Sequence, residues 1–311
     1  MDESSILEKF DELVKLGVAL CEDEPRIIKH TDGGLTFQFV LTSALAKKPT
    51  IKTAQPASSQ TDGPPNHRRP GSDISTHGFE LTTINNTHVL AANKFCYARP
   101  HLMLLTTSGF ARQHTPLTTS DFAATITALN GFSCPYLAFY NCGVDGGCSR
   151  LHKHLQLLPQ RSRSFASFLD AERDGRVEKI EEDEEPKIPF QWFWHRFSNP
   201  ESCAVESIKG IYDGLLTRAA ASIGLGQAEP AAGGSVEAAV PHNMLLTKRW
   251  MVVIPRRKAA INPEAGVNAL GMVGVIAVAT EKEIEKWKGV GLTQALRELG
   301  VPRESERRSH E

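Results

Sequence analysis

The sequence predicts an α+β fold: an antiparallel sheet with flanking helices and a C-terminal extension block packed on the same unit. Two observations carry this class. Between residues 87 and 158 the order is strand, turn, strand, helix, strand, loop, strand. Beyond the middle of the chain, short strand-like runs return at 244–247 and 250–255, with few long helices to separate them. The chain divides into a region with a histidine motif (1–169), an acidic surface segment (170–187) and a C-terminal region (188–304). No internal repeat is evident.

Each element has its own warrant. Residues 4–20 place Ile6, Leu7, Phe10, Leu13, Leu16 and Leu20 on a helical stripe, with Ser4 or Ser5 as cap. Residues 37–41 read as a short strand, and 48–76, rich in Pro, Ser, Gly, Thr and Asn, as a mobile loop. Strand-like runs at 89–91 and 102–106 flank a turn, and a helix over 117–131 starts at Thr118, Thr119 or Ser120. A strand over 134–140 leads into a glycine loop, and a second strand, 151–158, ends before Pro159, which has no N–H to offer a ladder. DAERDGRVEKIEEDEEPK reads as a solvated acidic excursion, and IPFQWFWHRF as a packed aromatic block. Residues 201–221 predict another helix and 223–240 a loop of small residues; 267–279 follow a break at Gly266, and 294–299 close the chain as a short helix.

Composition excludes several classes. The formal net charge of -1 over 311 residues gives no bulk attraction to nucleic acid or to an anionic membrane. No run of 18 apolar residues occurs, and MDESSILEKF lacks an apolar signal core. Six cysteines (21, 96, 134, 142, 148 and 203) are scattered over a long chain, which suits a reduced compartment, cytoplasmic or nuclear. Cys142 and Cys148 with His152 and His154 could be drawn as a zinc site, but the spacing misses the short Cys-x2-4-Cys pattern, so no protein-held metal is expected.

The chemistry concentrates in NCGVDGGCSRLHKHLQLLP, residues 141–159. On a strand, His152, His154 and Gln156 point to one face, and Lys153, Leu155 and Leu157 to the other. A neutral imidazole with a fixed tautomer can attack phosphorus and form a phosphoramidate that passes its group on. Gln156 can donate to the phosphoryl oxygens, and backbone N–H groups from Gly143 to Ser149 can form an anion nest. His-x-His alone also fits a metal pair or two satisfied surface histidines. The glycine-rich approach and the following Gln favour phosphate chemistry. Lys248, Arg249, Arg256, Arg257 and Lys258 form a local basic group from which Lys248 could meet a phosphate; a solvated strand end is the other reading. Trp192, Trp194 and Trp250 read as core, His101 as a structural histidine, and Cys96 and Cys134 as small buried hydrophobes. His195 and His242 have no partner that sequence reveals.

HKHLQ with NCGVDGGCS before it resembles the histidine triad signature of the fungal-type ATP adenylyltransferases, also called diadenosine tetraphosphate phosphorylases. That pattern has Gln where histidine triad hydrolases carry a third His. NKF at 93–95, HLMLLTT at 101–107, PF at 189–190, NMLLTKRWMVVIPR at 243–256, NALGMVGVIAV at 268–278 and LRELGVP at 296–302 extend the resemblance over most of the chain.

The resemblance implies a histidine-triad-like sheet and a reversible phosphorolysis of diadenosine tetraphosphate to ATP and ADP through an adenylyl-histidine. His154 would be the nucleophile, oriented by His152 partly through its carbonyl, and Gln156 would hold the phosphoryl oxygens. Asn141, Gly147 and Ser149 would line the polyphosphate path. Asn93 and Lys94 would sit near the nucleotide, and Lys48, or its neighbour Lys47, would contact phosphate. Mg2+ or Mn2+ would come with the substrate, no organic cofactor is implied, and the protein would be a monomer or small homo-oligomer. The loop departs from the family's Asn-Ser-Gly-Pro-x-Ser-Gly: Cys142 and Gly146 replace hydroxyls, and each lost bond to a charged acceptor would cost about 1.5–3 kcal/mol. Asp145 also puts a negative charge beside a polyphosphate. Two other functions compete: a hydrolase with water as acceptor, opposed by Gln156, and a non-catalytic nucleotide sensor, suggested only by the altered loop.

Overall fold

The computed structural model describes residues 1–47, 68–160, 164–170, 185–198, 204–225 and 240–303. Helix α1 (Glu3–Lys15) is followed by the hairpin β1 (Arg26–Asp32) and β2 (Leu35–Leu41). Then come β3 (Glu80–Ile84), β4 (His88–Ala92), β5 (Leu102–Thr106), α2 (Thr119–Asn130), β6 (Tyr136–Cys142) and β7 (His154–Pro159). The C-terminal part supplies β8 (Phe193–Arg196), α3 (Val205–Ser222), β9 (His242–Leu246), β10 (Trp250–Pro255), the short pair β11 (Ala260–Asn262) and β12 (Ala265–Gly266), and α4 (Ala269–Met272). Strand β13 (Val275–Val278) and helices α5 (Glu281–Val290) and α6 (Leu292–Leu299) follow.

Eight strands form one antiparallel sheet in the order β3-β4-β5-β7-β6-β9-β10-β8. The C-terminal strands therefore extend the sheet that carries the histidines, through β6 and β9, where Asn141 lies opposite Asn243. Side chains alternate between two cores. Tyr136, Ala138 and Tyr140 of β6 and Met251 and Val253 of β10 join the core under α1, α2 and α3. Leu137, Phe139, Trp250, Val252 and Ile254 join the other, with α4 to α6 and a small sheet of β1, β2 and β13. On β7, Leu155 and Leu157 belong to the helix side and Leu158 to the C-terminal side. By the same alternation His154 and Gln156 face the C-terminal side, and Lys153 faces the helices.

Local sequence explains the main boundaries. Thr118 caps α2 in a capping box with Asp121, which satisfies two helix-end donors reciprocally. Helix α1 buries Ile6 and Phe10 but ends at Lys15, short of the expected 20; Gly17 takes a positive φ, Leu16 is exposed, and Leu20 instead pairs with Phe95. Strand β1 has no expected counterpart, because its burial pattern is that of an edge with weak alternation. Gly33 and Gly34 both have positive φ and make the two-residue turn into β2, the chemistry a tight hairpin requires. Strands β3 and β8 and helix α5 are likewise additions to the sequence reading. The histidine strand begins at His154, not at 151: His152 makes an isolated bridge to Arg112, and Lys153 N–H bonds Ala111 O.

The ends of the acidic segment are anchored, contrary to the expectation of a solvated run over 170–187. Trp250 Nε1 donates to Asp170 at 2.7 Å, and Trp192 Nε1 to Glu185 at 2.8 Å. Residues 171–184 lie outside the described residues. Of the expected loop 48–76, residues 48–67 are outside them too; 68–76 docks on the body with Asp73, Ile74 and Thr76 buried. Cys96 is buried as expected but Cys134 is exposed, since it precedes β6 and does not lie in it. Trp192 and Trp250 are buried, as expected for core tryptophans. Among the described residues no helix is long and apolar enough to cross a membrane.

Candidate active site

The site is built where β6 and β7 part. Their ladder ends at Phe139 opposite Gln156. Beyond it the Gln113 carboxamide takes the place of a peptide group: Oε1 accepts from His154 N–H at 2.7 Å, and Nε2 donates to His154 O at 3.0 Å and Asn141 O at 3.1 Å. Gln113 is 2% exposed, so these bonds satisfy a buried amide and fix the backbone of His154.

The two histidines have different situations. His154 Nδ1–H donates to the carbonyl of His152 at 2.9 Å, which sets the tautomer and puts the lone pair on Nε2. His152 is fully buried. Its Nε2 lies 2.9 Å from Thr106 O, and its Nδ1 lies 2.8 Å from the Ser72 hydroxyl. The Asp73 carboxylate accepts the N–H groups of Leu151 and His152 at 2.9 and 2.8 Å. Burial, and then the neighbouring His154, push His152 down to about 4, so its ring is neutral near pH 7. His152 thus acts on His154 through its carbonyl.

Gln156 is half-buried, with Oε1 2.9 Å from His101 Nε2. Asn93 joins this group, its Nδ2 3.2 Å from the same nitrogen and its Oδ1 accepting from Phe95 N–H. Lys94 is exposed, its ammonium 5.6 Å from the Phe95 ring centre. On the opposite face Lys153 donates to Asp121 at 3.1 Å and to Pro116 O at 2.8 Å, and His88 meets Asp121 at 3.0 Å. Burial alone would raise the Asp121 pKa; the His88 bond and the Lys153 charge outweigh it and hold it at about 2.

The glycine loop corrects two expectations. The N–H groups of Gly143, Gly147 and Cys148 bond to carbonyls of Gln113, Val144 and Gly143, so they are not donors to an anion. Gly146 is not a lost hydroxyl. A Cβ there would lie 2.1 Å from Cys142 O, and the Gly146 carbonyl accepts from Asn243 Nδ2 at 2.6 Å. Gly147 has φ +84, and a Cβ would approach Val267 O to 2.8 Å, so the position admits glycine alone. Ser149 is half-buried at the loop exit.

Asn141 is a clasp, not an open lining group: its Oδ1 accepts from Asn243 Nδ2 and from Ala269 N–H, both at 2.9 Å. Asn243 Oδ1 in turn accepts from Arg256 Nη1 at 2.6 Å. Arg256 is 1% exposed, bonds the carbonyls of Val267 and Lys258, and is pushed down to about 9 by burial. It is therefore no part of a solvated strand end. The C-terminal region holds the glycine loop through this chain of bonds.

Not every expected residue arrives here. Lys248 sits in the turn between β9 and β10, past Leu246, which pairs with Ala138. That is the opposite end of the strands from Asn243, roughly 17 Å along the ladder. Lys48 lies outside the described residues, as does the side chain of Lys47. Among the described residues no group of three or more His, Cys, Asp or Glu side chains could hold a metal ion. Burial raises the Cys142 thiol to about 12 and the Cys148 thiol to about 11. His242 proves to have partners, Tyr212 OH at 2.8 Å and Val240 O at 2.7 Å. Sequence reasoning missed Ser72, Asp73, Gln113 and Asn243; His101, read as a structural histidine, is buried and bonded, and one of its partners is Gln156. Only the Ser-Asp pair after Gly71 carried a local signal, that of a turn.

Two family models match the chain: Ap4A phosphorylase N-terminal domain over 17–169 and ATP adenylyltransferase C-terminal domain over 186–302. Diadenosine 5',5'''-P1,P4-tetraphosphate phosphorylase 2 of Saccharomyces cerevisiae is 30% identical over 63% of this chain and 63% of its own length. The chain thus spans less than two thirds of that relative. Protein APA1 of the same yeast is 27% identical over 75% of this chain and 77% of its own. The crystal structure of yeast Ap4A phosphorylase Apa2 in complex with Ap4A superposes with a TM-score of 0.71 at 22% identity, covering 97% of this chain and 98% of that one, which shows a shared fold. With both halves matched in order, and the histidine strand inside the first, the chain belongs to the Ap4A phosphorylase family, whose C-terminal half is the ATP adenylyltransferase domain.

Proposed function

We propose that this chain is a nucleotidyltransferase that phosphorolyses diadenosine tetraphosphate to ATP and ADP, reversibly and in two displacements. In the first, His154 Nε2 attacks the phosphorus next to one adenosine. The bond to the bridging oxygen breaks, ATP leaves, and AMP stays on the imidazole. In the second, phosphate attacks that phosphorus, the P–N bond breaks and ADP leaves. The observation that carries this reading is the bond from His154 Nδ1 to the His152 carbonyl, because it leaves the in-plane lone pair on the nitrogen that must attack. Gln156, on the same face one strand repeat away, is suited to stabilise the phosphoryl oxygens. Asn93 and Ser149 are the neighbouring polar groups in reach of the nucleotide and polyphosphate.

Mg2+ or Mn2+ accompanies the substrate in this reading, screening its charge against Asp145 without a protein cage. ATP, ADP and phosphate are the other partners, the protein works as a monomer or small homo-oligomer, and the compartment is the cytoplasm or nucleus. The test is a product assay with diadenosine tetraphosphate and labelled phosphate, with and without chelator. Label in ADP is the expected result. AMP and ATP formed equally well without phosphate would replace transfer with hydrolysis, and full activity after chelation would remove the cation.

A further inference from the structure

We infer that His101 is a positioning residue for this transfer: its Nε2–H donates to Gln156 Oε1 and so turns the Gln156 NH2 group toward the phosphoryl group. The inference rests on the reaction proposed above. A carboxamide has one end that only accepts and one that only donates. A phosphoryl oxygen needs the donor, so the wrong orientation of Gln156 would set two acceptors against each other. Gln156 sits on a regular stretch of β7, opposite Met103 and Phe139, which fixes its backbone but not which way its amide faces. His101 supplies that choice.

The imidazole is well placed to do so. His101 is 1% exposed and directly precedes β5. Its carbonyl accepts from Asn93 N–H at 2.9 Å, closing the loop between β4 and β5, and Tyr97 packs against its ring at 4.5 Å between centroids. Two side chains meet its Nε2: Gln156 Oε1 at 2.9 Å and Asn93 Nδ2 at 3.2 Å. They make opposite demands. A proton on Nε2 serves Gln156 Oε1, whereas a lone pair there would serve Asn93 and require the Gln156 amide to reverse. With Oε1 of Gln156 turned to the ring, an atom that can only accept, the proton belongs on Nε2. The tautomer of one buried imidazole thereby decides whether Gln156 offers the site a donor or an acceptor.

The test compares His101→Phe, His101→Gln, Gln156→Ala and the His101→Phe/Gln156→Ala pair. Phe keeps the contact with Tyr97 and deletes the donor; Gln keeps a donor. For His101→Phe, kcat should fall roughly tenfold to a hundredfold, below or near the loss of a whole transition-state donor. KM for diadenosine tetraphosphate should move by less than about threefold, since the interaction belongs to the transition state. The share of AMP among products should rise relative to ADP, as water competes better for a less well-held phosphoryl group. His101→Gln should recover most of the rate. The double variant should be no slower than Gln156→Ala alone, because His101 acts through Gln156. Additive losses, or an unchanged kcat and AMP share in His101→Phe, would overturn the inference. Should His101→Phe fail to fold, the wild-type protein answers by imidazole 15N NMR: a His101 proton on Nδ1 overturns the inference and one on Nε2 supports it. Each run begins by mapping the AMP adduct in wild type. A wild type with no adduct at His154 overturns the reaction and this inference together, whereas an adduct with additive mutant effects overturns the inference alone.

Discussion

The two faces of strand β7 use polar groups in opposite ways. Toward the helices, Lys153, Asp121 and His88 form a closed set in which the Lys153 ammonium meets a carboxylate and a carbonyl, and the carboxylate also holds the start of α2. Toward the C-terminal side, His154 and Gln156 are each tied at one end, by the His152 carbonyl and by His101. Each then has a defined second end, a lone pair in one case and an NH2 group in the other. A buried polar group bonded back into the fold holds structure, whereas one whose tautomer or amide orientation is fixed by a neighbour can be aimed. Residues 153 and 154 are neighbours in sequence, and only the pleat separates these roles.

If that division is right, the largest effect comes from the aimed face. His154→Ala should abolish phosphorolysis with little change in thermal unfolding, because it removes the proposed nucleophile from an otherwise intact strand. Its neighbour on that face, His152, has both ring nitrogens bonded and no reach to replace it. Mass spectrometry after brief mixing with diadenosine tetraphosphate in phosphate-free buffer, followed by mapping under alkaline conditions, should place AMP on the His154 peptide. Turnover by the alanine variant, or an adduct elsewhere, would break the comparison. Gln156→Ala should follow at roughly 10²–10³-fold in kcat while still forming some adduct, as for loss of a single transition-state donor. A variant that forms no adduct at all would give Gln156 a part in the first displacement as well.

The closed face should respond in stability instead. Lys153→Met leaves Asp121 buried beside a neutral group, and breaking a buried pair from one side costs about 3–5 kcal/mol. Urea unfolding should show that loss, while kcat per folded molecule stays within about twofold of wild type, in contrast to a substitution that shifts the transition state itself. A large kcat effect without destabilisation would mean that Lys153 reaches the reaction after all. Gly147→Val belongs to neither face and should lose both, since positive φ and the Val267 carbonyl exclude a branched side chain.

How much of this could be read from sequence follows from the same geometry. The opposite facings of Lys153 and His154 depend only on strand alternation, so HKHLQ disclosed them. The strands around 102–106 and 250–255 were visible as short continuous apolar runs, buried on both faces or nearly so. Gln113, Ser72 and Asp73 were not. They come from loops 41 and about 80 residues from the histidines they hold, and nothing periodic marks a side chain that substitutes for a peptide group. Asn141 was legible as a site-proximal residue but not as a clasp, because its partners Asn243 and Ala269 lie over 100 residues away. Lys248 failed for a topological reason: β9 runs antiparallel to β6, which carries its C-terminal turn away from the glycine loop.

The smallest predicted effect separates the two faces by pH. His152, behind the aimed face, and His242, packed on Tyr212, are both pushed down to about 4, in each case first by burial. Unfolded, each would titrate near its ordinary value of 6.5. Between those values the unfolded chain binds more protons than the native one, so native stability falls as pH drops from 6.5 to about 4. The slope per histidine is at most about 1.4 kcal/mol per pH unit. Asp121, on the closed face, has the opposite chemistry but the same sign: its carboxylate is favoured by folding, and that contribution is lost only as pH falls from 3.8 through about 2. The histidines should therefore weaken the fold before the Lys153–Asp121–His88 set lets go. Urea unfolding at pH 7, 5.5 and 4.5 should show declining stability in wild type, with a shallower decline in His152→Gln and in His242→Gln. Equal slopes in all three proteins would show that the buried histidines do not set the acid limit.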